Sequence, residues 1–266
     1  MKQLACSGAR MRSATLAGLS LLAISALPAS AATVEFQNVT GTWSNILGGS
    51  NVGYTGNGTG NAKVRWGDSQ GSGQSGYNFV GSAFGPVTVN PPGSSGVFTI
   101  GTFEHVNRPI GSGTSITGIA LAFSADVIVN GQNLGSKTFN YNFSHLETPN
   151  SSNPCANGQS QNAPINANGC ADRVTMNFNS LSDTFMIGNE VYTLNLAGFL
   201  IGGNPASEFW TKENAVNSAY IQGKIDLYSV AAGVPEPGTW ALMITGFGAA
   251  GVAVRRQRRW KTQATA

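Results

Sequence analysis

The residues of this chain that could do chemistry are two histidines, two cysteines outside the N-terminal segment and a dozen scattered carboxylates. A serine-hydrolase arrangement needs a nucleophile on a strained turn, an imidazole beside it and a carboxylate orienting that ring. No Gly-x-Ser-x-Gly elbow occurs. His105, close to Asn107 and Pro109, reads as fixing the turn that leaves the strand Phe98–Phe103. His145 follows an apparent strand end and reads as a solvated or capping residue. Glycoside hydrolysis needs two carboxylates across a cleft. Asp68, Glu104, Asp126, Asp172, Asp183 and Glu190 are available, but nothing in the sequence pairs them. The expectation is therefore a non-enzyme, with no catalytic residue, cofactor or metal ligand assigned. Structural calcium is the one ion left open, because Asp172, Asp183 and the Asn-rich loops offer hard oxygen ligands. No Asp-x-Asp-x-Asp-Gly loop organises them.

Aromatic side chains are a second source of chemistry. Trp43, Trp66 and Tyr77, like Tyr54 and Trp210, mostly neighbour Gly, Asn or Gln, a setting in which rings stack on sugars. These three are the candidate glycan contacts. The plainer reading has each ring capping an end of an apolar core, with its polar tip outward. The glycan reading requires the indoles of Trp43 and Trp66 to be exposed.

The elements that must position these residues read as β-strands. Glycine is abundant and charge is only 10%. Short apolar runs are separated by Asn, Ser, Thr and Gly, and period-2 alternation recurs where no long 3.6-residue period does. Strands are expected at Val34–Thr40, Lys63–Trp66, Tyr77–Phe84, Val97–His105, Ile116–Val129, Lys137–Ser144, Arg173–Asn179, Thr184–Ile187, Glu190–Leu200 and Tyr220–Val230. Trp43–Gly60 reads as a turn region, Asn130-Gly131 as a hairpin turn, and Ser207–Ser218 as a turn or two of helix. Strands without intervening helices predict an all-β fold, an antiparallel β-sandwich or jelly-roll-like single domain over residues 32–232.

Both ends of the chain carry signals. Lys2, Arg10 and Arg12 precede the uncharged run Ala14–Leu27 and the small-residue site Ala29-Ser30-Ala31. This reads as a signal peptide over residues 1–31, for export through the Sec machinery. Near the other end stand Val234-Pro235-Glu236-Pro237-Gly238-Thr239-Trp240-Ala241, an apolar run to Val254, and Arg255, Arg256, Arg258 and Arg259. Neither proline suits a helix interior, so Pro-Glu-Pro reads as an extended tether. The 15-residue run Trp240–Val254 would span roughly 22 Å as a helix, short of a ~30 Å hydrocarbon core. A short apolar transmembrane helix that stops only transiently in the inner membrane is expected, with its arginines on the cytoplasmic side.

That order of parts resembles the PEP-CTERM sorting signal, in its Pro-Glu-Pro-x-x-Trp-Ala variety, over residues 233–261. The resemblance implies a Gram-negative exporter, an exosortase-type membrane protease that removes the tail, and an outer-surface or extracellular-matrix destination among exopolysaccharide or biofilm. A second resemblance rests on Arg65-Trp66-Gly67, Gln74-Ser75-Gly76-Tyr77-Asn78-Phe79 and the stretch from Phe98 to Ile110. These segments are similar to the choice-of-anchor K domain, from whose pattern Glu104 and Arg108 depart. That family implies no catalytic activity.

Charge and cysteine usage change once the ends are set aside. The whole chain is formally +3. Between Ala32 and Glu236, seven Lys/Arg face twelve Asp/Glu, a net charge of −5. Few and scattered cations exclude a stripe for phosphates, and with it nucleic-acid binding. Cys6 lies in the expected signal peptide, which leaves Cys155 and Cys170 to pair in an oxidising compartment. Three functions remain to be weighed: a non-enzymatic surface or matrix protein, a carbohydrate-binding module for the cell's own polysaccharide, and a secreted hydrolase.

Overall fold

A computed structural model describes residues 31–177, 184–229 and 237–263. The expected signal peptide, Asp183, Pro235 and Glu236 lie outside these residues. In chain order the strands are β1 (Ala32–Gly48), β2 (Gly53–Thr55), β3 (Asn61–Trp66), β4 (Ser75–Gly81), β5 (Phe84–Val89), β6 (Gly93–Ser94), β7 (Phe98–Asn107) and β8 (Ile116–Val129). They continue as β9 (Gln132–Leu146), β10 (Asp172–Asn177), β11 (Thr184–Ile187), β12 (Glu190–Ile201), β13 (Asn204–Ala206), β14 (Glu208–Thr211) and β15 (Ala215–Ser229). One helix, α1 (Pro237–Gln263), follows.

The strands form two curled antiparallel sheets. One has the order β14-β10-β9-β8-β1-β5 and the other β11-β12-β15-β7-β4-β3-β2, with β13 beside β12 and β6 beside β15. Alternation explains which face each strand buries. In β9, Phe139, Tyr141, Phe143 and His145 turn inward while their neighbours face out. Asn130 and Gly131 join β8 to β9 with φ of 50° and 79°, the left-handed values that a type I′ hairpin turn requires. Curling comes from bulges. The β1–β8 register shifts between Gln37 and Thr40 and again between Ser44 and Leu47, and Asn38 and Asn45 sit there at φ of 52° and 49°.

The inner faces of both sheets supply one hydrophobic cluster. Trp43 of β1 meets Phe103 of β7 at 6.2 Å and Phe143 of β9 at 6.0 Å between ring centroids, and Phe103 stacks on Phe143 at 5.5 Å. The Trp43 indole N–H donates to the Ala62 carbonyl at 3.1 Å, so its one polar atom is satisfied inside. Between β9 and β10, Cys155 and Cys170 form a disulfide with a Cα–Cα distance of 5.4 Å.

Three expectations are corrected here. Trp43–Gly48 is strand and not turn, because the two Asn bulges let β1 continue around the curl. Ser207–Ser218 is not helical: β14 and β15 occupy it, with Asn214 at φ 53° between them. The C-terminal helix is not short, since its 27 residues run through the arginine cluster. No helix among the described residues is long and apolar enough to cross a membrane, so the transmembrane helix is not supported. Gly246, Gly248 and Gly251 dilute the apolar run and Arg255 ends it. Pro237 opens α1 at a position where its missing N–H costs nothing.

Trp43→Ala should lower the unfolding free energy by about 3–5 kcal/mol, the cost of an unfilled aromatic site in a packed core. Urea unfolding measures it, and a loss below about 1 kcal/mol would contradict the central place given to Trp43. Cys155→Ser should cost roughly 3 kcal/mol by releasing a loop of about 16 residues in the unfolded chain. The same urea titration, with and without reductant, checks this.

Candidate functional site

Polar residues interrupt the inward series at one place. In β7 the inward residues run Phe103, His105, Asn107, and in β9 they run Tyr141, Phe143, His145. The two strands belong to different sheets, and the closing of the sheets brings the imidazole centroids to 5.2 Å. Asp172, at the start of β10, and Thr211, at the end of β14, face each other in the ladder beside them. Glu147 follows β9, and Glu213 lies between β14 and β15. Ligand atoms of His105, His145 and Asp172 all lie within 4.8 Å of one another, as do those of Glu147, Asp172 and Glu213. The result is one buried constellation of two imidazoles and three carboxylates that shares Asp172.

Hydrogen bonds fix most of these groups and leave particular atoms over. The Thr211 hydroxyl donates to the Asp172 carbonyl oxygen at 3.2 Å. Its one proton thus committed, it accepts from His105 Nδ1–H at 2.8 Å. Burial keeps the ring neutral, so with the proton on Nδ1 its lone pair falls on Nε2, and that atom is buried with no partner. Asp172 Oδ1 accepts the Thr148 N–H at 2.7 Å, while Oδ2 is buried without a partner. Glu213 Oε2 is likewise unpartnered. His145 Nδ1 shares a 2.6 Å bond with the Tyr77 hydroxyl, and its Nε2 lies 3.4 Å from Glu147 Oε2.

Burial shifts these groups toward their neutral forms. Desolvation pushes His105 well below the usual imidazole range, helped by His145 and Arg65. Desolvation first, then the charge of Glu147, raises Asp172 well above the usual carboxylate range. The same two causes raise Glu213 to about 7. Burial also raises Tyr77, which keeps its phenol protonated against His145. Among the described residues, no Lys or Arg forms an ion pair with Glu147, Asp172 or Glu213.

One side of the constellation reaches the surface through Glu147, whose side chain is 25% exposed. It lines a half-open cavity of about 740 Å³ together with His145, Thr148, Asn150, Ile110 and Gly49. That volume lies in the range of small-ligand sites.

Several sequence expectations are overturned by these positions. Trp43, Trp66 and Tyr77 are core residues, at 1%, 0% and 0% exposure, and cannot stack on a glycan. Each sits on an inward position of its strand, which flanking Gly and Asn did not reveal. The Trp66 indole N–H is buried without a partner, and its ring meets Tyr77 at 4.7 Å and His145 at 5.5 Å. His105 lies within β7, in line with the strand expected over Val97–His105, but its ring bonds Thr211 in the core and does not fix a turn, and His145 is buried and not solvated. Of the two acids named for calcium, Asp172 is buried, with ligand atoms near those of the imidazoles on one side and of Glu147 and Glu213 on the other, and Asp183 lies outside the described residues. The signal that could have found this grouping is the period-2 alternation itself, which carries both histidines inward.

The second candidate region is the C-terminal segment. Arg255 and Arg256 are exposed on α1, and Leu242, Ile244 and Phe247 on its apolar part are exposed too. Trp240, Ala241, Arg258 and Arg259 lie within the helix. Residues 233–259 match the family model described as the PEP-CTERM protein-sorting motif. This motif supports an exported protein of the cell surface or matrix that is processed by exosortase, a membrane protein. No curated protein matches the chain.

The acid with the raised range offers a pH test. Glu213 binds its proton more tightly folded than unfolded, so the stability it contributes is full below about pH 4.5 and is lost as pH rises through about 7. Glu213→Gln removes that loss. Relative to the parent chain, the variant should gain thermal stability progressively between about pH 5 and pH 8 in the presence of a chelator. Parallel melting curves over that range check it, and a constant difference would contradict the assignment.

Proposed function

We propose that this chain is a non-enzymatic protein of the outer surface or extracellular matrix of a Gram-negative bacterium, associated with exopolysaccharide or biofilm. In this reading a signal peptide over residues 1–31 directs Sec export of a domain over residues 32–232. The segment 233–261 then holds the chain transiently at the inner membrane while an exosortase-type protease acts at Pro235-Glu236-Pro237. The single observation that carries the reading is the match of residues 233–259 to the PEP-CTERM protein-sorting motif. Further support comes from exposed apolar residues ahead of exposed arginines on α1, an order that suits insertion from the cytoplasmic side. The domain's similarity to choice-of-anchor K segments, and its two curled sheets over one core, suit a sandwich-like module beside such a signal.

A carbohydrate-binding role is the second reading. It no longer rests on Trp43, Trp66 and Tyr77, which are buried. It rests on the half-open cavity beside Glu147. A glycan array with the purified chain separates the two readings. A secreted hydrolase has the least support, since the sequence holds no nucleophile elbow.

Glu236→Ala, or deletion of Pro235–Pro237, should leave the full-length precursor in the inner-membrane fraction. Intact-mass spectrometry of fractionated cells reads the outcome directly. Normal trimming of either variant would overturn the assignment of the protease site.

A further inference from the structure

Three carboxylates and two imidazoles meet in the interior with acceptor atoms left over and, among the described residues, no Lys or Arg paired to them. Unpartnered buried charge costs several kcal/mol per ion, and a proton or a metal ion ordinarily relieves it. We propose that His105, His145 and Asp172 hold a divalent transition-metal ion of the zinc class, with Glu147 beside it at the cavity.

The geometry favours a metal over a shared proton. His105 Nε2 carries a lone pair, because Thr211 fixes the proton on Nδ1. Asp172 Oδ2 is also free, because Thr148 takes Oδ1. Both atoms are fully buried, yet neither finds a hydrogen-bond partner, so no proton bridges them. Ligand atoms of His105, His145 and Asp172 lying within 4.8 Å of one another leave room for an ion between them. Tetrahedral zinc, with bonds of about 2.0–2.2 Å, sets its ligand atoms roughly 3.4 Å apart, so the three side chains would close on the ion as it binds.

Donor chemistry then selects the ion. Imidazole nitrogens suit zinc and its neighbours, whereas calcium takes six to eight oxygens at longer range. Two of the three convergent ligands here are nitrogen, and the oxygen-only alternative, Glu147 with Asp172 and Glu213, supplies three carboxylates. The outer contacts are those a zinc site uses. Each imidazole has its Nδ1 bound to a hydroxyl, Thr211 for His105 and Tyr77 for His145, which leaves His105 Nε2 unpartnered and His145 Nε2 facing Glu147 Oε2 at 3.4 Å, where a metal ion would take the place of the ring proton. Thr148 and Thr211 hold Asp172 from its side chain and its carbonyl. Access runs through the cavity, which His145 and Glu147 both line.

The test uses the full-length, untagged chain, stripped with a chelator and titrated with zinc chloride. Mass-spectrometric metal analysis should find one zinc per chain, and the melting temperature should rise on loading. Cobalt(II) in place of zinc should give visible d–d absorption of a site with nitrogen ligands. Asp172→Asn should lose the bound equivalent. Thr211→Val, which removes the hydroxyl that orients His105, should weaken zinc about 10–100-fold. A folded parent chain that binds no zinc overturns the proposal, and so does stoichiometric calcium binding that zinc does not displace. If Asp172→Asn fails to fold, the parent's cobalt spectrum decides: a spectrum without nitrogen ligation overturns the assignment of the two histidines.

Discussion

The structure depends on the closure of two curled sheets over one aromatic seam. Phe103 of β7 is the pivot, in contact with Trp43 and Phe143 from the facing sheet and with Phe199 of β12 at 5.5 Å. With so few charges in the chain, nothing else is extensive enough to hold the sheets together. Burying large rings removes 150–250 Å² each from water, which outweighs the two described pairs of Arg173 with Glu208 and Lys224 with Asp226, both part-exposed. The curl is a condition of that burial. The bulge at Asn38 shifts the inward phase of β1 from Val34 and Phe36 to Val39, Gly41 and Trp43, so the strand pairs with β8 at its start and still delivers Trp43 to the seam.

The same closure sets the polar constellation. His105 lies two residues beyond Phe103, and His145 two beyond Phe143, so the rings that stack in the seam carry the imidazoles together one step further along. The polar layer is therefore a continuation of the core and shares its rigidity. Trp66 and Tyr77 bound it on the side of β3 and β4, and the disulfide loop bounds it beyond β9, where Thr148 bonds the Cys170 and Ala171 carbonyls. A loop cross-linked so close to Asp172 keeps the start of β10 in place.

How far all this was legible follows from the range of the forces involved. Alternation in β8, β9 and β15 is local, and the hairpin at Asn130-Gly131 is written in two adjacent residues. The sorting segment is contiguous, so the order of proline, apolar run and arginine sufficed to read it. The continuation of β1 past Thr40 was hidden because Gly48-Gly49 and the neighbouring Asn residues look like turn chemistry, while the bulges that use them are a tertiary matter. Trp43 and Trp66 were ambiguous for a related reason. Their neighbours in sequence are polar and small, but their neighbours in space are rings. The constellation was the least legible part, since its members come from β7, β9, β10 and two loops, and only the pairing of the sheets makes them neighbours.

The electrostatic division of the chain ties these parts together. Basic residues are concentrated in the two terminal segments, and the β-rich part between, residues 32–232, carries seven Lys/Arg against eleven Asp/Glu, a net charge of −4. The matched sorting segment holds four arginines within α1. The β-rich part has a negative excess, which raises the local concentration of cations around it. Within that field, Glu147 is the member of the carboxylate trio that reaches solvent, while Asp172 and Glu213 stand behind it. The potential of the domain and the position of Glu147 thus act in the same direction. Both draw positive charge toward the buried region where acceptor atoms of His105, Asp172 and Glu213 stand without donors.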